Sequence, residues 1–332
     1  MCERVDGIRA EDLIEEKLKA DGFTPKKFEF DETKEPFDIY VPNWRMFDLF
    51  QWLCKRSVPL HKKDSVGFLF YETFDGFNFR SIDALFKEQK PKKKLIFTGT
   101  PDTPVDYNAK IIQYSVQRDI DVKNNLALGT YANESIFFDF YDFKYVERSY
   151  SVNEGGVSGS KDKLEHGGKD DFSASVTDSV RSEPSRIMSR ILDVGTLPEG
   201  KSTKEQLKNW KDHPDQPTFD AAKVMVQSTM RYNQLFASTI TLTIAGDFSL
   251  HAGDALFVDI ATLKADTKGD DINEKDGGVY IISDLTHYIS KKETYTKMNL
   301  VRDSTGRKGN HAFRKGTNAH TVMQDNCLPN IK

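Results

Sequence analysis

The sequence predicts an α+β chain: a small helix-plus-hairpin domain, then an antiparallel β-barrel or sandwich carrying a packed helix and a polar insertion. Three observations predict it. Apolar residues recur at helical spacing in two short stretches near the start, the pattern of helices with one buried face. In the last third, Ile240, Leu242 and Ile244 alternate with Thr239, Thr241 and Thr243, the period-two mark of a half-buried strand. Between them, from Ser151 to about Ser182, the composition falls to Ser, Gly, Asp and Lys, too poor in large apolar side chains to offset the entropy of ordering.

The first helix is read from Ala10, Leu13, Ile14 and Leu18, with Asp21-Gly22 as its stop, so the chain is expected to start on a helix. A second follows Pro42-Asn43, with Asn43 as N-cap, Phe47, Phe50, Leu53 and Cys54 on one face, and Lys55 and Arg56 at the end favoured by the helix dipole. Trp44, Phe47 and Phe50 are expected to anchor this part. Val66–Tyr71 and Phe77–Ile82 flank Asp75-Gly76, a hairpin signature suited to positive φ. Residues 1–90 therefore read as one α+β domain.

Residues 91–150 read as the first barrel strands, from β-branched and aromatic runs at Ala109–Val116 and Ser135–Val146, with Asn124-Asn125 and Ala132-Asn133 offering turns. The polar insertion spans 151–217 and includes a short helical stretch at Arg186–Leu192. Residues 218–303 supply a helix capped by Thr218 and running to about Phe236, then strands near Ile240, at Ala255–Asp259, Gly278–Asp284 and Thr294–Val301. Ile240, Leu242, Ile244, Leu256 and Val258 are the expected barrel core. Asp266–Gly277 reads as an exposed loop, and 304–332 as a flexible basic tail.

Bulk properties exclude several classes. The 332 residues suit about two domains, and a formal net charge of -4 gives no overall positive field for nucleic acid or anionic membrane. The longest apolar runs, such as Ala255–Ile260, fall far short of a bilayer span, so no membrane insertion is expected. The opening Met1-Cys2-Glu3-Arg4-Val5-Asp6 is polar, unlike a secretory signal. Cys2, Cys54 and Cys327 are widely spaced, which fits synthesis in a reducing cytoplasm and leaves no cysteine-based zinc site. The 23 Phe residues cluster in 68–86 and 136–150, where basic residues are too sparse for a base-stacking platform.

A search for chemistry returns no catalytic, cofactor-binding or metal-ligating residues. There is no GxSxG, HExxH, P-loop or GxGxxG, and Thr98-Gly99-Thr100-Pro101-Asp102 lacks the glycines and lysine that cradle phosphate. His251, His287, His311 and His320 show no metal-ligand spacing. In Asp270–Gly277, an EF-hand frame starting at Asp271 puts Lys275 where a ligand is required. Lys92-Lys93-Lys94 reads as a solvated strand edge that discourages aggregation. The chain is therefore expected not to be an enzyme and to need no cofactor.

Two segments carry a family likeness. Val41–Leu53, followed by Gly67–Glu72 and Asp75-Gly76, resembles the middle α+β domain of baseplate central hub proteins of T-even-type contractile-tailed phages. The stretch from Phe219 to Val301, with Ala237-Ser238-Thr239-Ile240, Gly246-Asp247-Phe248-Ser249-Leu250, Ala252-Gly253-Asp254 and Tyr280–His287, is similar to the last tail-tube-type barrel of those hubs and of spike bases in type VI secretion. The resemblance implies a homotrimer in the virion baseplate, made in the host bacterial cytoplasm. Its implied partners are the tail tube protein, the cell-puncturing tail spike and other baseplate proteins, with DNA only as passing cargo. Family members begin with a full barrel before the α+β domain, whereas this chain starts on the helix ahead of it, which implies that the first barrel is missing or lies on another chain. The alternatives from other classes are a hub-associated cell-wall hydrolase, which needs a carboxyl of raised pKa in a cleft, and the hub of a non-phage injection system.

Overall fold

The computed structural model describes residues 3–20, 22, 27–34, 36–41, 43–60, 66–87, 90–97, 107–117, 126–129, 132–139, 144–151, 183–191, 208, 221–235, 238–260 and 276–303. In order the elements are β1 (Glu3–Ile8), α1 (Ala10–Ala20), β2 (Phe28–Phe30), β3 (Phe37–Val41), α2 (Met46–Cys54), β4 (Phe68–Thr73), β5 (Gly76–Ser81) and α3 (Ile82–Lys87). There follow β6 (Lys93–Phe97), β7 (Ile111–Gln117), β8 (Ala132–Asp139), β9 (Lys144–Ser151) and β10 (Ile187–Ile191). The last are α4 (Ala221–Gln234), β11 (Ser238–Ala245), β12 (Ala255–Ile260), β13 (Gly278–Ile289) and β14 (Thr294–Arg302). The chain forms two compact units; the first draws on Met1–Asp83, Lys123–Asp162 and Val176–Asn233, and the described residues of the second come from Ala84–Val122 and Gln234–Lys332.

The first unit opens on a strand rather than on the expected helix. β1 pairs antiparallel with β3, Val5 opposite Ile39, and a register shift between Val5 and Ile8 breaks the alternation that would have signalled it. α1 follows with Glu11 and Asp12 in its first turn and Lys17 and Lys19 in its last, the charge order that the helix dipole favours. Its buried stripe, Ala10, Leu13, Ile14 and Leu18, packs into one core with Leu49, Phe50 and Leu53 of α2 and with Phe68, Phe77 and Phe79 of the hairpin. Buried Glu11 accepts from both the amide and the hydroxyl of Thr33, which satisfies a carboxylate that burial would otherwise penalise.

Two expectations for α2 are corrected. Its N-cap is Arg45, with no side-chain cap bond, instead of Asn43. Of the three predicted anchors only Phe50 is fully buried; Trp44 is 45% and Phe47 47% exposed. The helix starts at Met46 and buries Leu49, Phe50, Leu53 and Cys54, so Phe47 falls on the flank of that stripe, against the rings of Phe50 and Phe70.

The predicted hairpin forms: β4 and β5 pair antiparallel, and β2 adds parallel to β5. Gly76 is needed here for space, because a Cβ would lie 1.9 Å from the Lys27 carbonyl oxygen, which accepts from the Phe77 amide at 2.9 Å. A third sheet in this unit has the order β10-β8-β9. It corrects four expectations. Ser135–Val146 spans two strands of an antiparallel pair, Ala132-Asn133 lies inside β8 with both side chains buried, and Arg186–Leu192 holds the strand β10, parallel to β8. Over so short a run, Ile187, Met188 and Ile191 fit either period, and pairing with β8 decides. β8 and β9 are thus not barrel strands, and α4 packs Val226 and Met230 on Phe137 of β8.

α4 also carries Arg231, which meets Asp83 at 2.7 Å with both side chains at or below 1% exposure. Removing one member leaves a buried unpaired charge. Asp83→Asn is therefore expected to cost about 3–5 kcal/mol, and Asp83→Leu combined with Arg231→Met to recover most of it, as read by urea unfolding.

The second unit is one curled sheet of order β6-β12-β13-β14-β11-β7. It is antiparallel except for β12 with β6. The expected core residues Ile240, Leu242, Ile244, Leu256 and Val258 are all fully buried on its inner face, with Tyr280, Ile282, Met298 and Leu300. Curling brings the two edges to a single parallel bridge, Ile96 to Lys110, and puts the Phe97 and Tyr114 rings edge to face at 4.5 Å. A bulge at Ser283 shifts β13 against β14 between Ile282 and Asp284. Leu242→Asp should abolish soluble folding, because the carboxylate would sit among apolar groups with no partner. Thr243→Asp, on the opposite face of the same strand, should leave the circular dichroism spectrum unchanged; a folded Leu242→Asp protein would overturn this placement of the core.

Candidate functional site: a lysine and aspartate edge at the barrel seam

Two sequence features far apart in the chain meet at the seam. The turn from Gly246 to Asp254 joins β11 to β12, and β6 lies along β12 in parallel, Leu256 opposite Lys93 and Val258 opposite Leu95. Lys92 Nζ reaches Asp254 Oδ2 at 2.7 Å, Lys93 Nζ reaches Asp247 Oδ2 at 2.7 Å, and Lys94 Nζ lies 3.6 Å from Asp259 Oδ2. The expectation of a solvated lysine edge is thereby corrected: Lys93 and Lys94 are only 24% and 18% exposed, and each faces a carboxylate.

The turn is built to present those carboxylates. A Cβ on Gly246 would lie 2.3 Å from Thr294 Cγ2, and its amide donates to the Thr294 carbonyl, so the position must stay bare for the chain to cross β14 closely. Asp247 Oδ1 accepts from the Ser249 amide and hydroxyl, an Asx-type turn. Leu250 returns to the core at 2% exposure, and Asp254 Oδ2 accepts from the His251 amide. Burial alone would raise the Asp247 carboxyl; the bonds from Lys93 and Ser249 outweigh it and hold the group at about 2, below its ordinary 3.8.

Among the described residues the remaining candidates do not assemble into a reactive centre. His251 sits in the turn, its ring 3.9 Å from Asp254, and His287 lies in β13 with Nδ1 2.8 Å from the Thr296 hydroxyl and its ring against Phe248. Among the described residues no three His, Cys, Asp or Glu side chains stand close enough to hold a metal ion. Thr98–Asp102, Asp270–Lys275, His311, His320, Cys2, Cys327, Asn124-Asn125, Thr218 and the Ser/Gly-rich run 152–182 lie outside the described residues. Among the described residues no helix is long and apolar enough to cross a membrane.

In the first unit, a groove of about 470 Å³ runs between α2 and β4, lined by Phe47, Lys55, Phe70, Glu72 and Tyr232 among others. Burial pushes the Cys54 thiol in its wall up to about 12, which keeps it protonated and inert at neutral pH. The Tyr232 hydroxyl, also raised by burial, donates to the Phe68 carbonyl. Among the described residues that line the groove, none is a base placed to activate either. At one end of the second unit's core, fully buried Arg302 donates to the Gly277 carbonyl at 3.1 Å and lies 4.5 Å over the Tyr280 ring. Sequence reasoning missed this residue and the three aspartates; for Arg302 the signal was its place two residues after Leu300 in the same alternation.

No family model matches the chain, and no curated protein matches it. Solved structures similar to it include the tail protein from Neisseria meningitidis MC58, with a TM-score of 0.49 and 12% identity over 90% of this chain and 68% of that one. Another is the 43 kDa tail protein of prophage MuSo2 from Shewanella oneidensis, with a TM-score of 0.44 and 9% identity over 90% of this chain and 67% of that one.

Two outcomes test the geometry of the turn. Gly246→Ala should cost about 1–3 kcal/mol through overpacking, and Thr294→Ser in the same chain should recover part of it by removing Cγ2. A depressed carboxyl stabilises the fold above its unfolded-state pKa and loses that effect as pH falls through the folded value. Urea midpoints should therefore drop between about pH 4 and pH 2 for the native chain, and less steeply for Asp247→Asn.

Proposed function

We propose that the chain is a structural subunit of a phage tail, and within it a baseplate hub subunit that joins the tail tube to the central cell-puncturing spike. The observation that carries this reading is the curled six-stranded sheet built on the Gly246–Asp254 turn, the segment in which the sequence resembles the tube-type barrel of such hubs. Its edge strands β6 and β7 touch at one bridge and otherwise pair on one side only among the described residues, and Ile112 on β7 is 51% exposed. Strand edges of this kind associate readily with other chains, and a closed ring of subunits removes them.

On this reading the chain works by shape. It is a homotrimer whose partners are the tail tube protein, the spike and other baseplate proteins, and its net charge of -4 gives passing DNA no general hold. On the same reading it has no catalytic role; Glu72 is the one carboxylate among the described residues that line the α2/β4 groove.

Light scattering on the purified chain, alone and mixed with the spike and tube proteins encoded beside it, tests the proposal. A complex with three copies of this chain per spike is expected. A stable monomer that binds neither protein would overturn the hub assignment.

A further inference from the structure

We infer that β6 is an ionically latched strap, an edge strand that leaves the sheet as one piece while β7 and β11 to β14 keep their pairing. The distribution of apolar contacts makes this physically available. β11 and β12 each give three fully buried side chains to the core (Ile240, Leu242, Ile244; Leu256, Val258, Ile260), whereas β6 gives only Leu95, with half-buried Phe97 beside it. β6 also makes the one parallel pairing in this sheet, slightly weaker per residue than the antiparallel kind. Beyond its strand pairing with β12, β6 meets the opposite edge at the Ile96–Lys110 bridge and through the Phe97–Tyr114 ring contact.

Charge holds what apolar contact does not. Three consecutive lysines meet three aspartates, two on the Gly246–Asp254 turn and one on β12. Asp247 and Asp254 are oriented in advance by Ser249 and His251, so the receiving side is preorganised. Lysine offers a hydrated point charge instead of a bidentate fork, and Lys92 is 51% exposed. Such pairs weaken as salt shortens the range of electrostatic attraction, whereas the buried alternation of β11 to β14 does not depend on charge.

Release would uncover the outer edge of β12, six consecutive buried residues from Ala255 to Ile260. The strap is therefore a cover over a sheet edge, with ionic strength setting how often it lifts.

Hydrogen exchange followed by mass spectrometry, at about 0.05 M and about 1 M NaCl, tests this on the full chain. Two partly exposed ion pairs, Lys92–Asp254 and Lys93–Asp247, each worth a fraction of the energy of a tenfold change, predict several-fold faster exchange across Lys93–Phe97 at high salt, the third pair at buried Asp259 being screened less, with β13 and β14 unchanged. Lys93→Ala combined with Lys94→Ala should exchange at the fast rate already at low salt and lose most of the salt response. Lys297→Ala, on β14, should behave as the native chain does. Exchange of β6 in step with β13 and β14 in every condition would overturn the strap, as would an undiminished salt response in the double variant. If the double variant fails to fold, the salt series on the native chain decides between the same two results.

Discussion

A sheet with one apolar face cannot lie open in water; it must be covered or curl on itself. In the second unit the row Ile240, Leu242 and Ile244 forces the second solution, because β11 is paired on both sides. Its inner residues face Leu300 and Met298 on one flank and Val116, Tyr114 and Ile111 on the other. Burying the row at the hydrophobic gain of ordinary core side chains closes the curve until β6 and β7 nearly meet. The Gly246–Asp254 turn exists within that constraint: it leaves β11, passes close over Thr294, and sends Leu250 back into the same core.

Where the curve needs adjustment, the chain uses a bulge and a buried cation. Before Ser283, every residue of β13 from Gly278 to Ile282 is buried; after it, half-buried residues such as Leu285 and His287 alternate with exposed ones. The bulged Ser283 donates to the Asn299 carbonyl, and Asn299 in turn links Thr241 to Asp284 across three strands on the outer face. Arg302 ends the inner row, its guanidinium over the Tyr280 ring, where burial lowers its pKa and Tyr280, Asp303 and Asp276 oppose that shift. A guanidinium held this way fixes where β14 stops, at the risk of a large penalty should its partners be lost.

The parts of this fold that were legible in the sequence are those where one period dominates. The Thr/Ile/Leu alternation of β11, the Leu13-Ile14-Leu18 stripe of α1 and the hairpin around Asp75-Gly76 each announce their structure locally. β10 did not, because five residues fit both helical and strand spacing and only the parallel partner β8 selects one. β1 was hidden by its register shift, and Asn43 was a fair cap in a chain whose helix begins three residues later. The seam was invisible for a different reason. Lys92, Lys93 and Lys94 are a charge run with no local meaning, and their aspartates lie more than 150 positions away, at separations of 162 for Lys92 and 154 for Lys93.

The strand order also dictates a timetable. β7 is complete at Gln117, but its neighbour β11 does not begin until Ser238, and β14 ends only at Arg302. At about 5–20 residues per second of synthesis, β7 waits roughly 6–24 seconds for its first partner. All of β8, β9, β10 and α4 emerge in that interval, so the first unit can finish while the second is still two orphan strands. For that time Leu95, Ile111 and Ile112 have no sheet to join, and the growing chain is most easily lost to aggregation on the ribosome, before any finished contact in the second unit exists to protect them.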